Sequence, residues 1–255
     1  MNYLTAVHTD VGIKKKTNQD AVLVKVADTD YGRILLAVIC DGMGGLAKGE
    51  VASAALIKAF SSWFEDKLPS LLQQGLTCKA LCGEWEELIL DMNRKISDYG
   101  IDHRLSLGTT AVGLLLVDTQ YYIVNIGDSR VYQITDRLKQ LTKDQTYIQR
   151  EMDLGNMTYE EAMRDPQRNM LLQCVGASTE ILPDYHTGTF GRDTVFMLCS
   201  DGFRHLVTPD ELYQYLNPHV LRTEEEMARQ AEYLTELNKY RKEPDNISVA
   251  LIKAC

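Results

Sequence analysis

The sequence is poor in several features that would settle its class at once. Six of its 255 residues are cysteine and five are histidine, and neither type falls in a zinc-binding pattern. There is no His-x-x-x-His, no His-Glu-x-x-His and no cysteine quartet. Cys40 and Cys199 lie inside apolar runs and read as small buried hydrophobes; Cys174 sits in a mixed stretch and Cys255 is the last residue. Cys78 and Cys82, spaced i, i+4, share one side of a helix but lack the two further ligands zinc would take. The six read as free, reduced thiols. Positive charge is not in excess either. Lys and Arg number 27 against 36 Asp and Glu, a net charge of −9. That balance argues against nucleic acid or an anionic membrane as partner. No apolar run approaches the roughly 18–20 residues that span a bilayer. The opening MNYLTAVHTD has neither a basic n-region nor an apolar h-region. The expectation is a cytoplasmic chain. Internal repeats and low-complexity stretches are also missing. With 45% hydrophobic residues, one domain over 1–255 with a large core is expected.

Strands are legible at 21–26, 34–40, 109–117, 121–126, 130–135, 194–200 and 246–252. Asp118-Thr119-Gln120 reads as a hairpin connection. Many of these runs are continuously apolar rather than alternating, so they are expected to be covered on both faces. Helical spacing of apolar residues marks 50–64 and 80–97. Three more helices open with capping boxes: Thr158 with Glu161, Thr208 with Glu211 and Thr223 with Glu226. Hairpin-linked strands and consecutive helices do not give a doubly wound sheet, and an α+β layered sandwich with mostly antiparallel sheets fits the order better. The polar stretch from about 144 to 170 is long enough to form a flap over a site.

Four aspartates share one context. Asp41 follows the buried run ILLAVIC, Asp201 follows TVFMLCS, Asp128 follows YYIVNIG, and Asp245 precedes NISVALI. Any one of them reads equally well as opening a turn. Four such carboxylates at the ends of buried strands are costly unless paired or bound to a cation. All-oxygen ligands select hard divalent ions, Mg²⁺ or Mn²⁺. Two such ions about 3.5–4 Å apart activate a water and clamp phosphoryl oxygens. Other phosphate chemistries fit less well. A cysteine nucleophile needs Cys-x5-Arg, which Cys199 and Arg204 miss by one residue. An aspartyl nucleophile of the haloacid dehalogenase type would be Asp28 in Asp28-Thr29-Asp30-Tyr31-Gly32, a partial match. Of the calcineurin-like motifs only Gly127-Asp128 is present.

Across nearly its whole length the chain resembles the protein phosphatase 2C family in its compact bacterial form. The resemblance rests on Thr17-Asn18-Gln19-Asp20, Asp41-Gly42-Met43-Gly44-Gly45 with Gly49-Glu50-Val51-Ala52-Ser53, Leu107-Gly108-Thr109-Thr110, Asn125-Ile126-Gly127-Asp128-Ser129-Arg130, Pro166-Gln167-Arg168-Asn169, Ser200-Asp201-Gly202 and Asp245-Asn246-Ile247-Ser248, in that order. It implies a four-layer α-β-β-α sandwich and a metal-dependent serine/threonine phosphatase. It also implies that Asp41 bridges two Mn²⁺ or Mg²⁺ ions, with the Gly42 carbonyl on one and Asp201 and Asp245 on the other. Asp20 would act through metal-bound waters, and a bridging water would attack phosphorus in line without a phospho-enzyme. Asp128 and Asp201 would contribute to a third, weaker metal site. Two departures stand out. Lys15 occupies the place of a phosphate-binding arginine, within Lys14-Lys15-Lys16, and offers a point charge instead of a bidentate fork. Met43 stands where eukaryotic members carry a histidine taken as general acid. The expected partners are phosphorylated proteins and a cognate Ser/Thr kinase, and the expected state is a monomer. The competing reading is a pseudophosphatase that binds phosphoproteins.

Overall fold

The structure, a computed structural model, describes residues 1–44 and 48–255. Two sheets, antiparallel throughout, form its centre. The first has the strand order β1 (Tyr3–Asp10), β11 (Ile247–Ala254), β10 (Val195–Cys199), β7 (Arg130–Ile134) and β8 (Leu138–Gln140). The second runs β2 (Asp20–Thr29), β3 (Gly32–Gly44), β5 (Ala111–Val117), β6 (Gln120–Ile126) and β9 (Asp184–Thr189), with β4 (Leu107–Thr109) added beside the end of β3.

The apolar runs are continuous because each central strand faces two cores. Along β3, Ile34, Leu36, Val38 and Cys40 turn to one side, and Leu35, Ala37 and Ile39 turn to the other. The first set meets α1 (Gly49–Asp66), α2 (Leu68–Gln73) and α3 (Cys78–His103), where Phe60, Trp63 and Trp85 fill the space. The second set packs between the sheets against Val112, Leu114, Phe196, Leu198 and Ile252. On the far side, Val195, Met197, Val249 and Leu251 meet α6 (Asp201–Arg204), α7 (Pro209–Leu216) and α8 (Glu224–Tyr240). A period-two strand buried on both faces has this composition. The result is the expected helix–sheet–sheet–helix stack.

Local expectations hold with small shifts. All three capping boxes form, at the N-termini of α5 (Tyr159–Ala162), α7 and α8. The hairpin between β5 and β6 is tighter than expected. Val117 pairs with Gln120, so only Asp118 and Thr119 form the loop, and Asp118 takes the positive φ of 53° that such a turn demands. The stretch from 144 to 170 follows β8 and carries α4 (Tyr147–Asp153) and α5.

Candidate active site

Strand register brings the aspartates together. Asp20 opens β2 directly opposite Asp41 on β3. In the other sheet, Cys199 at the end of β10 pairs with Val249 on β11 and with Arg130 on β7. Asp201 (the first residue of α6), Asp245 (before β11) and Asp128 (before β7) therefore emerge at the same end. Side-chain bonds join the sheets there. Ser200 Oγ donates to Asp20 Oδ2 at 2.9 Å and accepts the Ser248 N–H at 3.0 Å.

The remaining motif residues hold the backbone around these carboxylates. The Asp41 N–H donates to Thr110 Oγ1, and its carbonyl accepts from Thr110 N and Thr109 Oγ1, all at 2.9–3.0 Å. Thr110 Oγ1 shares a further bond of 2.9 Å with Ser129 Oγ. Gly42 cannot be any other residue, since an added Cβ would lie 2.3 Å from the Gly49 carbonyl oxygen. This close approach seats the start of α1 against β3. Gly45, the last residue of that motif, lies outside the described residues. Asn246 is a hub. Its Oδ1 accepts the Gln19 N–H at 3.0 Å, and its Nδ2 donates to the carbonyls of Val11 and Thr17 at 2.9 and 3.2 Å. The loop carrying Lys15 is thereby tied to Asp245.

The electrostatics are those of an uncompensated anionic cluster. Burial, then the charges of Asp20, Asp201, Asp128 and Asp245, hold the Asp41 carboxyl well above the usual carboxylate range. Asp20 is pushed up to about 6, by burial first; its serine hydrogen bonds oppose the shift, and Asp201 and Asp245 add to it. By surface area both are only half-buried, but enough protein surrounds them for desolvation to dominate. Asp20 Oδ1 and Asp201 Oδ1 are fully buried and have no protein partner. Among the described residues no three His, Cys, Asp or Glu side chains close tightly enough to grip one ion, and mutual repulsion favours such spacing. Orphaned carboxylate oxygens and four mutually repelling neighbours fit a demand for divalent cations. Asp41, the Gly42 carbonyl, Asp201 and Asp245 are the groups at this end of the sheets that could hold them.

Two cations already touch the cluster. Lys15 Nζ lies 2.8 Å from Asp245 Oδ1, with 39% of its side chain exposed. Burial pulls the Lys15 ammonium down, but Asp245, with Asp41 and Asp201 behind it, outweighs burial and leaves it raised. Arg204, which the sequence offered only as a near miss of Cys-x5-Arg, donates from Nη2 to the Asp128 carbonyl at 3.0 Å, to Asp128 Oδ2 at 3.4 Å and to Asp144 Oδ2 at 3.3 Å. Its Nε is buried without an acceptor. Asp144 is also gripped by Arg130 through a two-pronged contact, Nε to Oδ1 and Nη2 to Oδ2, each 2.7 Å. Burial and the charge of Asp201 push the Asp128 carboxyl up against the opposing pull of Arg204. His205 stands 3.7 Å from Asp201 Oδ2 and 3.6 Å from Glu243 Oε2, too far for hydrogen bonds.

Asp28 is elsewhere. It sits eight residues along β2 from Asp20, about 25 Å at the rise of a strand. It is exposed, paired with Arg33 at 3.3 Å, and borders a cavity lined by Ile34, Phe64, Leu68 and Leu72, apart from the carboxylate cluster.

Residues 12–238 match the family model described as Protein phosphatase 2C. Protein phosphatase PhpP of Streptococcus pneumoniae is 30% identical over 248 residues, covering 96% of this chain and 94% of that protein. The S. agalactiae serine/threonine phosphatase structure superposes with a TM-score of 0.85 at 25% identity, over 100% of both chains. The catalytic domain of the serine/threonine protein phosphatase PstP, solved with two manganese ions, superposes with a TM-score of 0.79 at 28% identity, over 98% of this chain and 97% of that one. With the family model spanning most of its length and a 30% identical relative covered almost end to end, this chain belongs to the protein phosphatase 2C family.

Proposed function

We propose that the chain hydrolyses phosphoserine and phosphothreonine in proteins with two divalent ions, Mn²⁺ or Mg²⁺, held by Asp41, the Gly42 carbonyl, Asp201 and Asp245. It is a metal-dependent protein serine/threonine phosphatase. The observation that carries this reading is the group of carboxylates around Asp41, two of which keep a buried oxygen with no protein partner. When bound, the ions supply positive charge against the phosphoryl oxygens and lower the pKa of a water that attacks phosphorus.

The chain's own residues set up the rest. Thr109, Thr110 and Ser129 fix the Asp41 backbone, so its carboxylate is aimed before any ligand arrives. Asp20, anchored by Ser200, is placed to orient waters between the two sheets. Lys15 is the cation next to the metal ligands and is poised to move from Asp245 to a substrate phosphate. A lysine fills that role as a point charge on a flexible stem. With no histidine at Met43, protonation of the leaving serine or threonine oxygen falls to solvent held at the acidic cluster. The 144–170 stretch serves as a flap whose first residue, Asp144, is anchored beside Asp128 by Arg130 and Arg204. A phosphorylated protein, with a cognate Ser/Thr kinase upstream, is the partner; the setting is cytoplasmic signalling and the working state a monomer. No helix among the described residues is long and apolar enough to cross a membrane.

The test is Mn²⁺-dependent release of phosphate from a phosphothreonine peptide by the native chain and by Asp41→Asn. Turnover by the native chain alone, with no phosphate left covalently on the protein, is expected. Retained activity in Asp41→Asn, or a trapped phosphoprotein, sinks the proposal.

A further inference from the structure

We infer that Arg204 takes the place of a third metal ion: its guanidinium is a built-in cation on Asp128, so the chain saturates with two divalent ions. The inference rests on the two-ion reading above and concerns the third, weaker site that family resemblance implies at Asp128 and Asp201. The residues present do not fit that third ion. Arg204 Nη2 lies 3.4 Å from Asp128 Oδ2 and 3.0 Å from the carbonyl of the same residue. Any ion taking Asp128 as ligand would meet a fixed positive charge at contact range. The side chains of Arg204 and Asp128 are each only 11% exposed, so solvent screens that repulsion poorly.

Two features make the guanidinium hard to displace. It donates to two separate residues, and the second, Asp144, is itself 10% exposed and clamped by Arg130 through both carboxylate oxygens. Its position is set by α6, whose first residue is Asp201 itself. The arginine therefore follows a metal ligand by less than one helical turn and points back toward Asp128. This contrasts with Lys15, which reaches Asp245 from an exposed loop. The sequence shows the arginine at 204 but not its target, since Asp128 is 76 residues away.

Mn²⁺ titration of the native chain, followed by calorimetry and by the electron paramagnetic resonance signal of free Mn²⁺, counts the ions directly. Saturation at two per chain is expected, with no third step through about 1 mM, the weak end of oxygen-ligand sites. Asp128→Ala should leave that count unchanged. Arg204→Ala and Arg204→Gln, checked for native circular dichroism, should gain a third uptake step that Asp128→Ala removes again. Three ions on the native chain overturn the inference alone. So does a folded Arg204 variant that still stops at two. Fewer than two ions on the native chain overturn the two-ion reading and this inference with it. Because the native chain gives a decisive count by itself, the inference stays exposed even if neither Arg204 variant folds.

Discussion

Lys15 and Arg204 each bring a positive charge to an aspartate of the site, and they are held in opposite ways. Lys15 comes from an exposed loop, touches one carboxylate oxygen of Asp245, and has 39% of its side chain in solvent. Arg204 comes from a helix, bonds two residues, and is nearly buried. The contrast separates a counter-ion that can leave from one that is part of the fold. A half-exposed ion pair contributes about 0–1 kcal/mol and is readily exchanged for another partner. A buried charge that loses its partner leaves the other desolvated and unpaired, which costs about 3–5 kcal/mol. On the proposed function, the exposed side of the cluster is where ligand exchange and phosphate binding belong, and the buried side is scaffold.

The largest effect is expected at the residue shared by both sides. Asp41→Asn should lower Mn²⁺-dependent hydrolysis of an aryl phosphate by about a thousandfold or more, since a two-ion site supplies several kcal/mol of transition-state stabilisation. The fold should survive, because the substitution removes one of several repelling charges. Activity assays beside a thermal melt check both halves. Next in size is Arg204→Ala. Asp128 and Asp144 would lose a buried partner, and stability should fall by about 3–5 kcal/mol in a denaturant titration. A loss under 1 kcal/mol would erase the distinction between the two cations.

How much of this was visible beforehand follows from which forces are local. Strands β3, β5, β10 and β11 were legible because burial on both faces makes them continuously apolar. β1 and β9 were not. They are edge strands, and YLTAVHTD and DYHTGT carry polar residues that only pairing with β11 and β6 turns into sheet. α2 and α4 are too short for a period to register. The capping boxes were legible because a cap is a contact over three residues. At the site, each aspartate stood out from its own strand end. What register adds is that Asp20 faces Asp41 and that Asp128, Asp201 and Asp245 share an end. Arg204 and Asp144 gave no local signal, since their meaning lies in contacts across 14, 60 and 76 positions.

On the exposed side, Lys15→Ala should leave stability within about 1 kcal/mol of native, as for an exposed pair. Its KM for an aryl phosphate should rise roughly fivefold, the equivalent of about 1 kcal/mol, with kcat less affected. Lys15→Arg, which restores a two-pronged donor, should reverse the loss and bind tighter than native. A kcat defect as large as that of Asp41→Asn would move Lys15 from phosphate binding into the ligand shell and break the contrast from the other end.

The smallest expected effect is a pH slope in the ion-free chain. Asp41, Asp20 and Asp128 all have folded-state carboxyls raised above their ordinary value, by burial first and then by neighbouring carboxylates, with Asp201 acting on all three. A raised carboxyl means that the folded chain holds protons which the unfolded chain releases. Stability therefore falls as pH rises above about 4, where the unfolded carboxylates ionise. For Asp20 the penalty is complete above its folded value of about 6. Lys15 is raised as well, but its contribution is fully present throughout this window because its unfolded value lies far higher. The Tm of the ion-free chain should therefore drop by several degrees between about pH 4 and pH 7, relative to Asp41→Asn measured alongside it. Saturating Mn²⁺ should remove the slope, because bound cations favour the ionised carboxylates that repulsion had disfavoured. A native chain whose ion-free stability rises over that range relative to Asp41→Asn would mean that the cluster is already compensated. Lys15 and Arg204 would then be enough to neutralise it, and the difference between a removable and a fixed cation would have no ion-binding consequence.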